Sequence, residues 1–164
     1  TDSADVLAAA RANVVFGDDG RDTILGRSDD DVIDGQGGRD LVYGGDGDDL
    51  IFSSEGSDVL FGEAGDDTIV IGFDETARTF IIADASFNSF GTRDRSDNRS
   101  TDTLIIVVDE DTLADAGFQA AADAFRDDID ATGGGAFTFG NSTVWADDFE
   151  EIFFVNDADL LALL

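Results

Sequence analysis

The 164-residue sequence contains no cysteine, histidine, lysine, proline or methionine. Without cysteine there are no disulfides and no thiolate metal sites. Without histidine there is no imidazole base, no Ser-His triad and no usual zinc ligand. With no GxSxG nucleophile motif either, the chain reads as a non-enzyme. Long apolar runs are also missing: none approaches the roughly 18 residues that a membrane-spanning helix needs. The chain begins at Thr1 and shows no signal peptide, so a fragment or processed form of a longer polypeptide is expected.

Acid dominates what is present. There are 38 Asp and Glu against nine basic residues, all arginine, for a net charge of −29. Such a surface repels nucleic-acid phosphates and anionic membranes and attracts multivalent cations. With nitrogen and sulfur ligands excluded, oxygen donors remain, and these suit a hard ion such as calcium.

The acids fall on a nine-residue period. From Gly17 the chain reads GDDGRDTIL, GRSDDDVID, GQGGRDLVY, GGDGDDLIF, SSEGSDVLF and GEAGDDTIV, ending at Val70 without a gap. Position six is always Asp: Asp22, Asp31, Asp40, Asp49, Asp58 and Asp67. Position eight is always aliphatic: Ile24, Ile33, Val42, Ile51, Leu60 and Ile69. Gly recurs at positions one and four, which we read as permitting backbone angles closed to other residues in a tight loop. Positions seven to nine read as a short strand with position eight pointing inward. Two nonads then complete one coil, and the coils stack as a parallel β-roll with loops alternating between two edges.

This pattern resembles the RTX, or haemolysin-type, calcium-binding repeat, Gly-Gly-x-Gly-x-Asp-x-aliphatic-x. The resemblance covers residues 17–70. It implies calcium held between loops stacked on the same edge. One loop offers carbonyls from positions two and four and its Asp, and the next offers carbonyls from positions one and three and its Asp. Four sites are implied. The first joins Asp18, Gly20 and Asp22 to Gly35, Gly37 and Asp40. The second joins Arg27, Asp29 and Asp31 to Gly44, Asp46 and Asp49. The third joins Gln36, Gly38 and Asp40 to Ser53, Glu55 and Asp58. The fourth joins Gly45, Gly47 and Asp49 to Gly62, Ala64 and Asp67. A fifth is suggested by Asn13, because NVVF reads as half a preceding nonad. Asp29 and Ser53 depart from the pattern, standing where glycine is usual.

Stacked carboxylates repel. The roll is therefore expected to be largely disordered without calcium and ordered with it, so that binding energy becomes folding energy. The outward positions Val32, Leu41, Tyr43, Leu50, Phe52, Val59, Phe61 and Val70 are apolar and call for cover. The remainder of the chain is the favoured cover over a partner or a second copy.

The flanks read differently. SADVLAAARA (3–12) predicts a short helix with Ser3 as N-cap. RTFIIA (78–83) and DTLIIVV (102–108) predict strands. The Arg-bearing loop between them is a solvated loop or a site for an anionic polysaccharide. Asp94, Ser96 and Asn98 only faintly echo an EF-hand. Residues 110–131 predict a helix with Phe118, Ala121, Ala122 and Phe125 on one face, stopped by TGGG. AFTFG, STVWA and FEEIFFV predict an antiparallel sheet, with Trp145 read as core rather than as a sugar-stacking surface. The acidic-then-apolar end, NDADLLALL, loosely resembles a type I secretion signal.

The fold expected is mainly β: a capping helix and first strand over 1–16, the roll over 17–70, and a C-terminal α+β cap over 71–164 that includes any secretion signal. The function implied by the resemblance is a calcium-binding domain, the C-terminal part of a larger secreted bacterial protein. It would pass unfolded through a type I secretion apparatus and fold on about four or more calcium ions outside the cell or at its surface. The alternative is a calcium-dependent polysaccharide-binding or self-associating module of an adhesin, surface-layer protein or alginate epimerase.

Overall fold

The computed structural model describes residues 4–8, 13–53, 55–73, 80–81, 101–147 and 149–164. In chain order the first strands are β1 (Val6–Ala8), β2 (Val14–Phe16), β3 (Asp19–Gly20), β4 (Thr23–Ser28), β5 (Val32–Asp34) and β6 (Gly37–Gly38). β7 (Leu41–Asp46), β8 (Leu50–Ser53), β9 (Glu55–Gly56), β10 (Val59–Ala64) and β11 (Thr68–Gly72) complete the nonads. β12 (Phe80–Ile81) and β13 (Thr103–Val107) follow, then helices α1 (Glu110–Ala114) and α2 (Ala116–Thr132). β14 (Gly134–Phe139), β15 (Ser142–Asp147), β16 (Glu151–Val155) and α3 (Asp157–Leu163) end the chain.

Two parallel sheets face each other, in orders β1-β4-β7-β10-β12 and β16-β13-β11-β8-β5-β2. Their registers repeat the sequence period. Thr23 pairs Leu41, which pairs Val59, and Val32 pairs Leu50, which pairs Thr68. Ile24, Ile33, Val42, Ile51, Leu60 and Ile69 are all fully buried between the sheets. A side chain of period two at position eight has no other direction to take once both neighbouring positions face outward.

The structure corrects three sequence expectations. The described part of SADVLAAARA, residues 4–8, is not helical. β1 pairs in parallel with β4, Leu7 opposite Ile24. Placing Leu7 against the open end of the roll core outweighs the helix propensity of an Ala-rich segment, as tertiary packing commonly does. FEEIFFV does not join an antiparallel sheet; β16 pairs in parallel with β13 and extends the roll. Trp145 is not core but 51% exposed. Period two along β15 turns Val144 and Ala146 inward and so turns Trp145 outward. Of RTFIIA, only 80–81 are described, as β12 beside β10; Asp94, Ser96, Asn98 and the loop over 91–100 lie outside the described residues.

The helical prediction over 110–131 is met by α1 and α2, broken at Asp115. The Asp115 carboxylate accepts from the N–H groups of Gly117 and Phe118 and so caps α2. Gly133, at φ 77°, ends the helix in the left-handed conformation. Phe118, Ala122, Phe125 and Ile129 line its buried face. Phe118 packs edge-on to Phe73, Phe137, Phe139 and Phe154. This aromatic cluster is continuous with the roll core, so helix, β14–β15 hairpin and coils share one apolar interior.

The outer face of β8, β11, β13 and β16 is covered by the chain itself only in part, Leu50, Phe52 and Phe153 staying half-buried. Val70, Ile105 and Val155 are buried there, with Leu50, Phe52 and Leu160 of α3 against them. On the opposite sheet Tyr43 stacks on Phe61, rings 4.9 Å apart. Among the described residues no helix is long and apolar enough to cross a membrane.

Candidate metal centre

The position-six aspartates form two ladders, one on each edge. On the first, the N–H of Asp5 donates to Asp22 (2.7 Å), Asp22 to Asp40 (2.9 Å) and Asp40 to Asp58 (2.8 Å). On the second, Asn13 donates to Asp31 (2.7 Å), Asp31 to Asp49 (2.8 Å) and Asp49 to Asp67 (2.9 Å). In each case the acceptor is Oδ1, and the six position-six aspartates, Asp22, Asp31, Asp40, Asp49, Asp58 and Asp67, are almost fully buried. Asn13 thus occupies the half-nonad position that its sequence suggested.

The second ladder continues beyond the nonads. Asp67 donates to Asp102 (3.0 Å) and Asp102 to Glu150 (2.9 Å). Sequence reading missed Asp5, Asp102 and Glu150 because their spacings are 17, 35 and 48 residues rather than 18. A signal was there: DVLA (5–8) matches DVLF (58–61), and DTLI (102–105) matches DTIL (22–25) and DTIV (67–70).

The loops stack in the same register. Asp19 and Gly20 pair with Gly37 and Gly38, which pair with Glu55 and Gly56. This brings Asp18, Gly20 and Asp22 beside Gly35, Gly37 and Asp40, and Gln36, Gly38 and Asp40 beside Ser53, Glu55 and Asp58. On the other edge Arg27 and Ser28 pair with Gly45 and Asp46, which pair with Glu63 and Ala64. That edge places Arg27, Asp29 and Asp31 beside Gly44, Asp46 and Asp49, and Gly45, Gly47 and Asp49 beside Gly62, Ala64 and Asp67.

The glycine columns work differently from the sequence expectation. Position four is left-handed from the second nonad onward, as in Gly38 at φ 139° and Gly47 at 138°. Position one is not. The other left-handed column is position two, occupied by Asp18, Arg27, Gln36, Gly45 and Glu63. Non-glycine residues held there carry strain of roughly 1–3 kcal/mol each, which collects at ligand clamps. Position one needs glycine for space: a Cβ on Gly44 would lie 2.3 Å from Asp49 Oδ2, and one on Gly62 would lie 2.2 Å from Asp67 Oδ2.

Those Oδ2 atoms carry the chemistry. Asp22, Asp31, Asp40, Asp49 and Asp67 each hold Oδ2 buried and without a hydrogen-bond partner among the described residues. A buried, unpaired carboxylate oxygen is costly unless a cation meets it. Among the described residues no three carboxylates converge on one point. Each rung therefore offers two carboxylates and leaves the rest of an ion's shell to loop carbonyls. That donor set, all oxygen and mostly neutral, fits calcium, which takes six to eight oxygen ligands.

Burial raises the proton affinity of three of them, Asp40, Asp49 and Asp67. Asp40 is pushed up to about 6, Asp49 to about 7 and Asp67 to about 8. Neighbouring carboxylates add to the rise: Asp58, Asp22 and Asp34 around Asp40, Asp31, Asp30 and Asp48 around Asp49, and Asp102, Asp49 and Asp48 around Asp67. The backbone N–H groups of the preceding coil partly counter it. Asp58 is also raised by burial, against the Ser53 hydroxyl and the Arg39 charge.

All three values lie above the ordinary 3.8, so the metal-free coil binds protons that the unwound chain releases. This stabilisation is complete below about pH 4 and fades as pH rises through the window from about 6 to about 8. Calcium-free protein should accordingly gain strand signal in far-ultraviolet circular dichroism as pH falls from about 8 to about 5. Calcium-loaded protein should show the opposite slope, because loading displaces those protons. A flat metal-free profile would contradict the assignment of these groups.

A two-sheet parallel roll with buried, carboxylate-lined edges defines a class: a repeat domain whose coils are joined by hard cations. The family model of the RTX calcium-binding nonapeptide repeat matches residues 7–42 and 43–74, in four copies. Residues 7–74 are RTX calcium-binding nonapeptide repeats, and the chain carries a calcium-binding RTX domain. No curated protein and no solved structure matches the chain.

Proposed function

We propose that this chain is a calcium-folded RTX domain, the C-terminal part of a larger secreted bacterial protein, which winds into its roll after leaving the calcium-poor cytosol through a type I secretion apparatus. The observation that carries this reading is the set of five buried Oδ2 atoms that no donor among the described residues satisfies. When bound, calcium neutralises paired carboxylates and gives the loop carbonyls a partner. The chain does the rest. Asp22, Asp40 and Asp58 on one edge, and Asp31, Asp49 and Asp67 on the other, orient their carboxylates through Oδ1; all but Asp58 leave Oδ2 to the ion. Residues 17–70 act as the switch; β13 and β16 carry its sheet further, and α2 with the β14–β15 hairpin adds the apolar packing that caps it.

The rungs share their aspartates. Asp49 serves both the Asp31–Asp49 and the Asp49–Asp67 rungs, whereas Asp22 serves one of the four. Calorimetric titration with calcium should show Asp49→Ala taking up at least two fewer ions than the unaltered chain, and Asp22→Ala one fewer. Equal uptake by Asp49→Ala would remove the basis for this reading.

A further inference from the structure

One rung differs from the others. In five of the six nonads position one is glycine, and a Cβ there would lie between 2.2 and 3.1 Å from the Oδ2 of the same nonad's aspartate. In the fifth nonad Ser53 holds that position. Its hydroxyl donates to Asp58 Oδ2. Asp58 is accordingly the one position-six aspartate of the six nonads whose Oδ2 is not left without a partner.

We propose that the Ser53 hydroxyl competes with calcium for Asp58 Oδ2, making the Asp40–Asp58 rung the weakest calcium site of the roll. This rests on reading the rungs as calcium sites. An ion entering this rung must displace a hydrogen bond to a charged acceptor, a contact stronger than a neutral one. Ser53 is 5% exposed and Asp58 1%, so little water is at hand to receive the displaced hydroxyl. The rung therefore fills last. Until it fills, the same hydrogen bond holds the buried Asp58 without metal, so one step of the first edge is metal-independent.

The test is calcium uptake by the whole chain, counted by native mass spectrometry across free calcium and matched to calorimetric affinities. Ser53→Ala removes the hydroxyl but keeps the Cβ the site already accommodates; Ser53→Gly restores the repeat; Ser53→Thr keeps a hydroxyl. The last ion should bind about tenfold tighter in Ser53→Ala and Ser53→Gly, the scale of a charge-assisted hydrogen bond. In Ser53→Thr it should bind as in the unaltered chain. A last ion that binds no tighter in Ser53→Ala overturns the proposal, and one that binds more weakly makes the hydroxyl a ligand instead of a rival. If the unaltered chain takes up no calcium, the reading of the rungs fails. If it loads normally and the variants load identically, this inference alone fails.

Discussion

Removal of calcium should unwind residues 17–70, seen as loss of most strand signal in circular dichroism at about pH 7.5 and its return when calcium is restored. Two carboxylates ~4 Å apart repel by about 4 kcal/mol at an effective dielectric of 20. Burying one aliphatic side chain contributes about 1.5–3 kcal/mol. Each coil buries only two such position-eight residues, one per nonad, and adds a carboxylate to each ladder. A roll this thin has no reserve of apolar burial with which to offset a ladder of unneutralised charge. The aromatic cluster around Phe118 includes none of the position-six aspartates. Its near-ultraviolet signal should therefore be affected less than the strand signal. Strand content unchanged by chelation would defeat the account.

The second large effect is expected from Gly38→Ala: a loss of about 3–5 kcal/mol in chemical denaturation at saturating calcium, from forced φ strain plus collision. Gly38 sits at φ 139°, and a Cβ on it would lie 1.8 Å from the Gly20 carbonyl oxygen of the coil below. That contact is backbone against backbone, so nothing can turn aside. The neighbouring Gly37→Ala is the control. Its Cβ would meet only the Asp19 carboxylate end, at 3.0 Å, and Gly37 is not left-handed. It should cost less than about 1 kcal/mol, because the substitution keeps the Gly37 carbonyl in place and meets only the end of a flexible side chain. Similar losses in the two variants would show that the close approach of successive coils at Gly38 is not what requires glycine there.

The flanking strands show why propensity misleads where the roll ends. Ala-rich 3–12 has every local mark of a helix, yet Asp5 and Leu7 repeat the Asp-x-aliphatic signature and dock on Asp22 and Ile24. An open coil end exposes both an apolar strip and unpaired strand groups, and a neighbouring segment that can satisfy both is drawn into the sheet. DTLIIVV and FEEIFFV join the opposite sheet in the same way. Their distance from the repeat in sequence hid the register but not the chemistry, since Asp102 and Glu150 accept from the rung below just as Asp49 does from Asp31.

The coil was legible in the nonad pattern alone. A nine-residue period carrying Asp, glycine and an aliphatic residue in constant columns admits one winding, because each coil recreates the environment of the one before. The oxygen-only ligand chemistry was equally plain, since cysteine and histidine are absent. Tertiary structure alone decided the rest: that position-one glycines make room for Oδ2 and do not turn the chain, that Ser53 answers Asp58, and that the two ladders run on into Asp5, Asp102 and Glu150. These depend on which atoms of successive coils come within hydrogen-bonding distance, and that distance is set by stacking across 17 to 48 residues of chain. Local sequence pattern does not reach so far.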